Sequence, residues 1–111
     1  MSTKNLIAFL LVVILVFGIV ILTFTGYILN ILENKYHSIT KSMTRTDVRK
    51  HLNNFKEVKV ERHEVPQGYQ DSIPLEDDLT IYRYEYIFSF FSIHVIYDKN
   101  ENIFMKIPTY E

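Results

Sequence analysis

The chain has 111 residues, with twelve Lys or Arg, thirteen Asp or Glu and no cysteine. That length holds one small domain at most. The missing thiols exclude disulfide staples, thiolate metal ligation and a cysteine nucleophile.

Charge divides the chain in two. Lys4 is the only charged side chain in the first 32 residues, and residues 33–111 carry all the others. The expected division is therefore an N-terminal transmembrane anchor, residues 1–32, and a small domain, residues 33–111. A domain of that size buries only about 60% of the surface its unfolded chain exposes, so its core is small.

The anchor is read from Leu6 to Phe24, LIAFLLVVILVFGIVILTF, 19 residues without a charge. A helix crossing about 30 Å of hydrocarbon needs about 20 such residues, and backbone groups in lipid must be paired within the segment. Weaker hydrophobicity continues to Leu32, so residues 6–32 are expected to be the part in contact with the lipid bilayer. Tyr27 suits an interface, where an amphipathic ring is stable. A cleaved signal peptide has a shorter apolar core and a small-x-small cleavage site. The only alanine, Ala8, is at the wrong end, and Thr23-Phe24-Thr25-Gly26 is a poor substitute. A lipoprotein signal is excluded, because the cysteine it modifies is missing. By plain count of Lys35, Lys41, Arg45, Arg49 and Lys50, the positive-inside rule favours a cytoplasmic domain. The flank from Glu33 to Thr40 is nearly neutral, however, and long domains translocate largely regardless of charge.

Glu33 to Thr40 extends the membrane helix or forms a short helix of its own, with Leu32, Tyr36 and Ile39 on one stripe. Thr44 is a good N-cap with Asp47 three residues on, and Met43 and Val48 occupy the staple positions. A helix is predicted from about Thr44 to Asn53, ended by Asn53-Asn54 in a left-handed cap. From Phe55 the period becomes two: Val58 and Val60 alternate with Lys59, Glu61 and His63 in a half-buried strand. Residues 66–78, PQGYQDSIPLEDD, read as a loop, long enough to be functional or mobile. Leu79 to Phe91 is a strand with Tyr82, Tyr84, Tyr86 and Phe88 on one face and Arg83 and Glu85 on a wetter one. A turn is predicted at Ser89 to Ser92. The strand Ile93 to Tyr97, a turn at Asp98 to Asn102 and a last strand, Ile103 to Ile107, complete the chain. The fold class is α+β: a single N-terminal transmembrane helix, then two helices and three or four antiparallel strands.

Chemistry-bearing patterns are sparse. His37, His51, His63 and His94 have no i, i+4 spacing, and no carboxylate motif flanks them. DKNEN resembles the start of a calcium loop, but the required Gly and Glu positions hold Ile103 and Thr109. No Gly-x-Ser-x-Gly or glycine-rich phosphate loop occurs. No catalytic residue, cofactor, metal or small-molecule substrate is expected. The aromatic strand is read as core. Residues 64–111 hold three Lys or Arg against nine Asp or Glu, which argues against nucleic acid as a partner. Residues 33–63 hold eight basic and four acidic side chains, an asymmetry that guides a partner, binds headgroups or simply solvates two faces. Candidate partner-binding residues are Tyr69, Asp71, Glu76, Asp77 and Asp78 on the acidic loop, and Arg83 and Glu85 on the sheet.

ITKSMTRTDVRKHL resembles the segment I-x-x-G-M-T-x-x-x-V-x-x-x-L-G of the SmpA/OmlA group of small bacterial envelope lipoproteins. Ile39, Met43, Thr44, Val48 and Leu52 match it position by position. YRYEY followed by IHVIYDKNENI is similar to that family's aromatic strand and the strand after it. The resemblance spans about residues 39–107 and implies two helices followed by a three-stranded antiparallel sheet. It also implies an outer-membrane assembly or envelope-integrity role exerted by binding. Ser42 replaces the usual Gly, Asn53-Asn54 replaces the usual helix exit, and a membrane helix stands in place of the lipidated Cys. The reading is a non-enzymatic bitopic protein of the bacterial inner membrane, its domain extracytoplasmic and bound to another envelope protein. The alternative is a membrane-anchored inhibitor or immunity protein acting on a toxin or hydrolase.

Overall fold

Ser2 starts the first helix: its hydroxyl accepts the Asn5 N–H at 3.2 Å. The computed structural model describes residues 2–110, without the side chains of Ser89 and Phe90. Helix α1 runs unbroken over Thr3–Ser38. Among the described residues it is the one helix long and apolar enough to cross a membrane. Its outward-facing side chains include Leu15, Phe17 and Leu22. The Thr23 hydroxyl donates to the Ile19 carbonyl at 2.8 Å, so the polar group within the span is satisfied by its own helix.

The helix crosses residue 32 without interruption, because nothing from Leu32 to Ser38 is Pro or Gly. Ile28 and Leu32 are 1% and 0% exposed and belong to the core of the following domain, with Leu29 and Tyr36 packed beside them. The expectation that all of residues 6–32 face lipid is corrected at these two positions, which face protein. The apolar stretch outlasts the hydrocarbon thickness because its last turns have a second partner.

Helix α2, Arg45–His51, follows a short turn. The Thr44 side chain accepts the Asp47 N–H at 3.4 Å, and the Asp47 carboxylate accepts the Thr44 N–H at 3.0 Å. That reciprocal pair is the capping box. The Thr44 N–H foremost, and the Thr44 hydroxyl donating to the same carboxylate at 3.2 Å, hold the Asp47 carboxyl below its ordinary pKa. Val48 and Leu52 are buried and Met43 packs on the same cluster, as the staple requires. The exit differs from expectation. Leu52 is the C-cap, its N–H donating to Val48 O, and the Phe55 N–H bonds to Leu52 O. Neither Asn53 nor Asn54 takes a left-handed conformation.

Four strands make one antiparallel sheet in the order β1-β2-β3-β4: β1 is Lys56–Val60, β2 Thr80–Tyr86, β3 Phe88–Tyr97 and β4 Ile103–Ile107. The chain between β1 and β2 holds a 3-10 turn, Arg62–Glu64, and a four-residue helix α3, Gln67–Gln70. The first strand therefore ends before Arg62, and His63 lies off the sheet. The turn predicted at Ser89 to Ser92 lies instead at Ile87, which has φ 61°, while residues 88–97 continue as one strand. The apolar character of this stretch hides the turn, since Ile87 is not a turn residue by composition. The turn after Tyr97 is as expected, with Asp98 Oδ1 accepting the N–H groups of Asn100 and Asn102.

The two faces of the sheet bury different partners. Tyr84, Ile93, Val95 and Tyr97 pack with α1 and α2. Val60, Ile81, Ile96 and Ile107 pack with Val65 and Ile73 from the β1–β2 connection. The end of α1 is tied to β4 by Lys106, whose ammonium donates to Tyr36 O at 2.6 Å and Ile39 O at 2.8 Å. It also lies 4.2 Å from the centre of the Tyr36 ring. A cation at carbonyls left unpaired by a helix terminus is favourable for both hydrogen bonding and the helix dipole.

Three substitutions test this assembly. Leu32→Ala should destabilise the domain by about 2–5 kcal/mol, whereas Leu22→Ala, at a 74% exposed position, should leave domain stability unchanged. Thr44→Ala should cost about 1 kcal/mol. Denaturant titration of the full chain in detergent micelles, followed by near-ultraviolet circular dichroism, reads all three.

Candidate functional site

The β1–β2 connection begins and ends at the same end of the sheet and folds back over it. Buried Val65 and Ile73 hold it to Val60, Ile81, Ile96 and Ile107. Arg62 fastens it from within, donating to Pro74 O at 3.3 Å and to Gln70 O. The Gln70 amide donates to Val65 O at 2.7 Å and His63 O at 3.3 Å. The segment is long but bound at both ends and in the middle. What it presents is the stretch after Ile73. Leu75 is 88% exposed, and Glu76, Asp77 and Asp78 follow it at the surface. An open groove of about 380 Å³ runs along this stretch, with Lys59, Arg62 and Pro74 in its walls.

The seven candidate residues lie on one side of the sheet but in different settings. Tyr69 is half-buried, its ring in the second core cluster and its hydroxyl donating to Pro108 O at 3.5 Å. Asp71 is exposed at the end of α3. Glu76 and Asp77 line the groove, and Asp78 is exposed beside it. Arg83 and Glu85 are not a wet patch: they are 22% and 15% exposed and pair with each other at 2.8 Å. The structure thus gathers the acidic stretch with Leu75 and sets Arg83 and Glu85 aside as a closed pair. Leu75 drew no attention in the sequence, because an isolated leucine in an acidic loop gives no periodic signal.

His94 lies across the ladder from Arg83. It is 2% exposed, its Nδ1 is 2.6 Å from the Thr109 hydroxyl, and its buried Nε2 has no hydrogen-bond partner among the described residues. Burial, with the Arg83 charge adding to it, pushes the His94 pKa down to about 4. Other histidines lie apart: His37 is exposed on α1, His63 sits in the 3-10 turn, and His51 pairs with Ser38.

A second polar assembly fills the face under α2. Arg45 binds the Glu57 carboxylate through Nη2 at 2.7 Å and Nε at 3.4 Å, reaches Glu101 at 3.2 Å and lies 4.3 Å from the centre of the Tyr82 ring. The Tyr84 hydroxyl donates to Glu57 at 2.7 Å and accepts from Tyr97 at 2.6 Å. Burial pushes the Glu57 carboxyl up, but hydrogen bonds from Arg45 and Tyr84 and the charges of Arg45 and Arg49 outweigh it, and its pKa falls below the ordinary value. Burial raises the Tyr84 hydroxyl strongly and Tyr97 to about 12. Both phenols therefore keep their protons, and the assembly holds one carboxylate in place. Beside it an open depression of about 680 Å³ is rimmed by Arg49, Lys50 and Phe55. Sequence reasoning missed this assembly, since Arg45, Glu57 and Tyr84 are far apart in the chain.

No protein-family model, no curated protein and no solved structure matches this chain.

The buried imidazole makes stability depend on pH. A histidine whose folded pKa lies below its ordinary value contributes stability that is complete above about pH 6.5 and is lost as pH falls through about 4. From pH 7 to pH 5, His94 should account for about 2 kcal/mol of lost stability. His94→Gln should flatten that part of the profile, measured by denaturant midpoints of the micelle-solubilised chain at each pH.

Proposed function

We propose that this chain is a single-pass protein of the bacterial inner membrane whose extracytoplasmic domain binds another envelope protein and performs no catalysis itself. The observation that carries the reading is the bound β1–β2 connection. An 88% exposed leucine followed by three surface carboxylates costs solubility and supplies nothing to the core. Held on a rigid support, it offers an apolar anchor with a charged rim, the composition of a protein-binding contact. The chosen partner surface is an apolar socket bordered by Lys or Arg.

The non-catalytic part of the reading rests on how the buried polar groups are used. Glu57, Tyr84, Tyr97 and Arg45 are saturated by one another, which suits a structural role better than proton transfer. The succession of helix, capped helix and antiparallel sheet is compatible with the resemblance to the SmpA/OmlA group, and an assembly or envelope-integrity role is proposed on that ground.

A photo-crosslinking residue at Glu76 in intact cells should yield one defined adduct with an envelope protein, and the same residue at Lys41 none. Adding Leu75→Ser should abolish the adduct while the chain remains folded. An adduct indifferent to Leu75, or none at all, would overturn the binding assignment. A reporter fused to the C terminus and active only in the cytoplasm would overturn the sidedness.

A further inference from the structure

The turn between β2 and β3 breaks two local rules at once. Ile87 has φ 61°, a left-handed conformation that is costly for a β-branched residue and that Gly or Asn adopts easily. Its side chain is 59% exposed, and Phe88 beside it is 49% exposed although its ring lies 6.2 Å from that of Phe91. A strained backbone and exposed apolar side chains at one turn point to a role for those side chains outside folding.

The fold shows where that turn points. Residue Thr44 pairs with Asn102, so the chain leaving α1 heads for the β3–β4 turn. Read backwards, α1 therefore runs towards the opposite end of the sheet, where β3 begins. Tyr36 touches Lys106, whose ladder partner is Val95, and Ile28 and Leu32 share a cluster with Phe91 and Ile93. From Tyr36 to Ile28 the helix rises about 12 Å, and from Val95 to Phe91 the strand rises about 13 Å. The molecule is 68 Å long. Helix α1 alone accounts for about 54 Å and β3 for about 33 Å, so they must overlap side by side along the last turns of α1. Continuing past Phe91, the β2–β3 turn reaches the level of about residues 18–21 of α1. That is within the last two turns of the Leu6–Phe24 stretch.

We infer that the Ile87–Phe88 turn is a second membrane contact, seated in the interfacial layer of the same bilayer that α1 crosses. This inference rests on the membrane-spanning reading of α1. An apolar tip beside a spanning helix meets headgroup and upper acyl chain rather than water, and aromatic side chains are stable at that depth. Two attachments, one helix and one turn, fix the tilt of the domain. They direct Leu75 and its acidic neighbours, which precede the far end of β2, away from the lipid surface.

The chain has no cysteine, so single labels can be placed cleanly. Full-length chain carrying an environment-sensitive fluorophore at Ile87→Cys, Phe88→Cys, Lys99→Cys or Leu15→Cys is reconstituted in phosphatidylcholine vesicles. Spin-labelled lipids carry the quencher near the headgroup or at the chain end. The labels at 87 and 88 should be quenched several-fold more by the shallow quencher than the label at 99, in the distal turn. The label at 15 should respond to the deep quencher. A quenched label at 15 with 87 and 88 no different from 99 would overturn the second contact and leave the spanning helix standing. An unquenched label at 15 would overturn the spanning reading itself.

Discussion

The packing of Ile28 and Leu32 against the sheet is the constraint from which the rest of the architecture follows. Both residues are on a helix that begins 25 residues or more earlier in apolar sequence, and both are buried in the domain core. A membrane anchor joined by a flexible linker would leave its domain free to rotate. Here the last turns of α1 are core residues, so the domain's orientation relative to the helix is set by the same hydrophobic burial that stabilises the domain. Lys106 reinforces the junction by capping the end of α1 from β4. Its ammonium gives up hydration, and burial lowers its pKa accordingly. The two carbonyls and the Tyr36 ring supply the compensation.

A domain this small has little apolar surface to spare, and it uses both faces of its sheet. One face is covered by α1 and α2, the other by the folded connection with Val65 and Ile73. Covering the second face with a connection in place of a helix leaves polar strand residues at its margin. Arg83 and Glu85 meet that situation by pairing, and His94 meets it by staying neutral with one nitrogen bonded to Thr109. Beneath α2, Glu57 is the centre of the polar assembly. Arg45 and Tyr84 converge on it, and removing any one of them would leave a buried partner exposed to the cost of an unmatched charge or hydroxyl.

The β3–β4 turn with Asp98 and Glu101, and the acidic stretch entering β2, stand at the end of the sheet away from the β2–β3 turn. Basic side chains from the first half of the domain meet them there: Arg45 pairs with Glu101, and Lys59 and Arg62 line the groove beside Glu76 and Asp77. The asymmetry between the basic and acidic halves of the sequence thus becomes, in part, contact between them in the folded domain. Leu75 and the Ile87–Phe88 turn carry the most exposed large apolar side chains after α1 among the described residues, and they belong to separate surfaces.

The sequence alone determined the local structure. The apolar span, the Thr44–Asp47 capping box, the aromatic face of β2 and the Asp98 turn are all set by contacts within a few residues, where propensity, capping and period act directly. It misled at two turns, placing a left-handed exit at Asn53-Asn54 and a break at Ser89, because a strand of apolar residues conceals a turn made by Ile87. Tertiary structure alone decided the rest. That Ile28 and Leu32 are core while neighbouring Tyr27 is exposed depends on which side of α1 meets β3. Glu57's partners come from α2 and β2, and Leu75 is presented only because Val65 and Ile73 are buried. Those outcomes rest on contacts between residues distant in the chain. Hydrophobic burial drives such contacts without encoding their partners in any short pattern of residues.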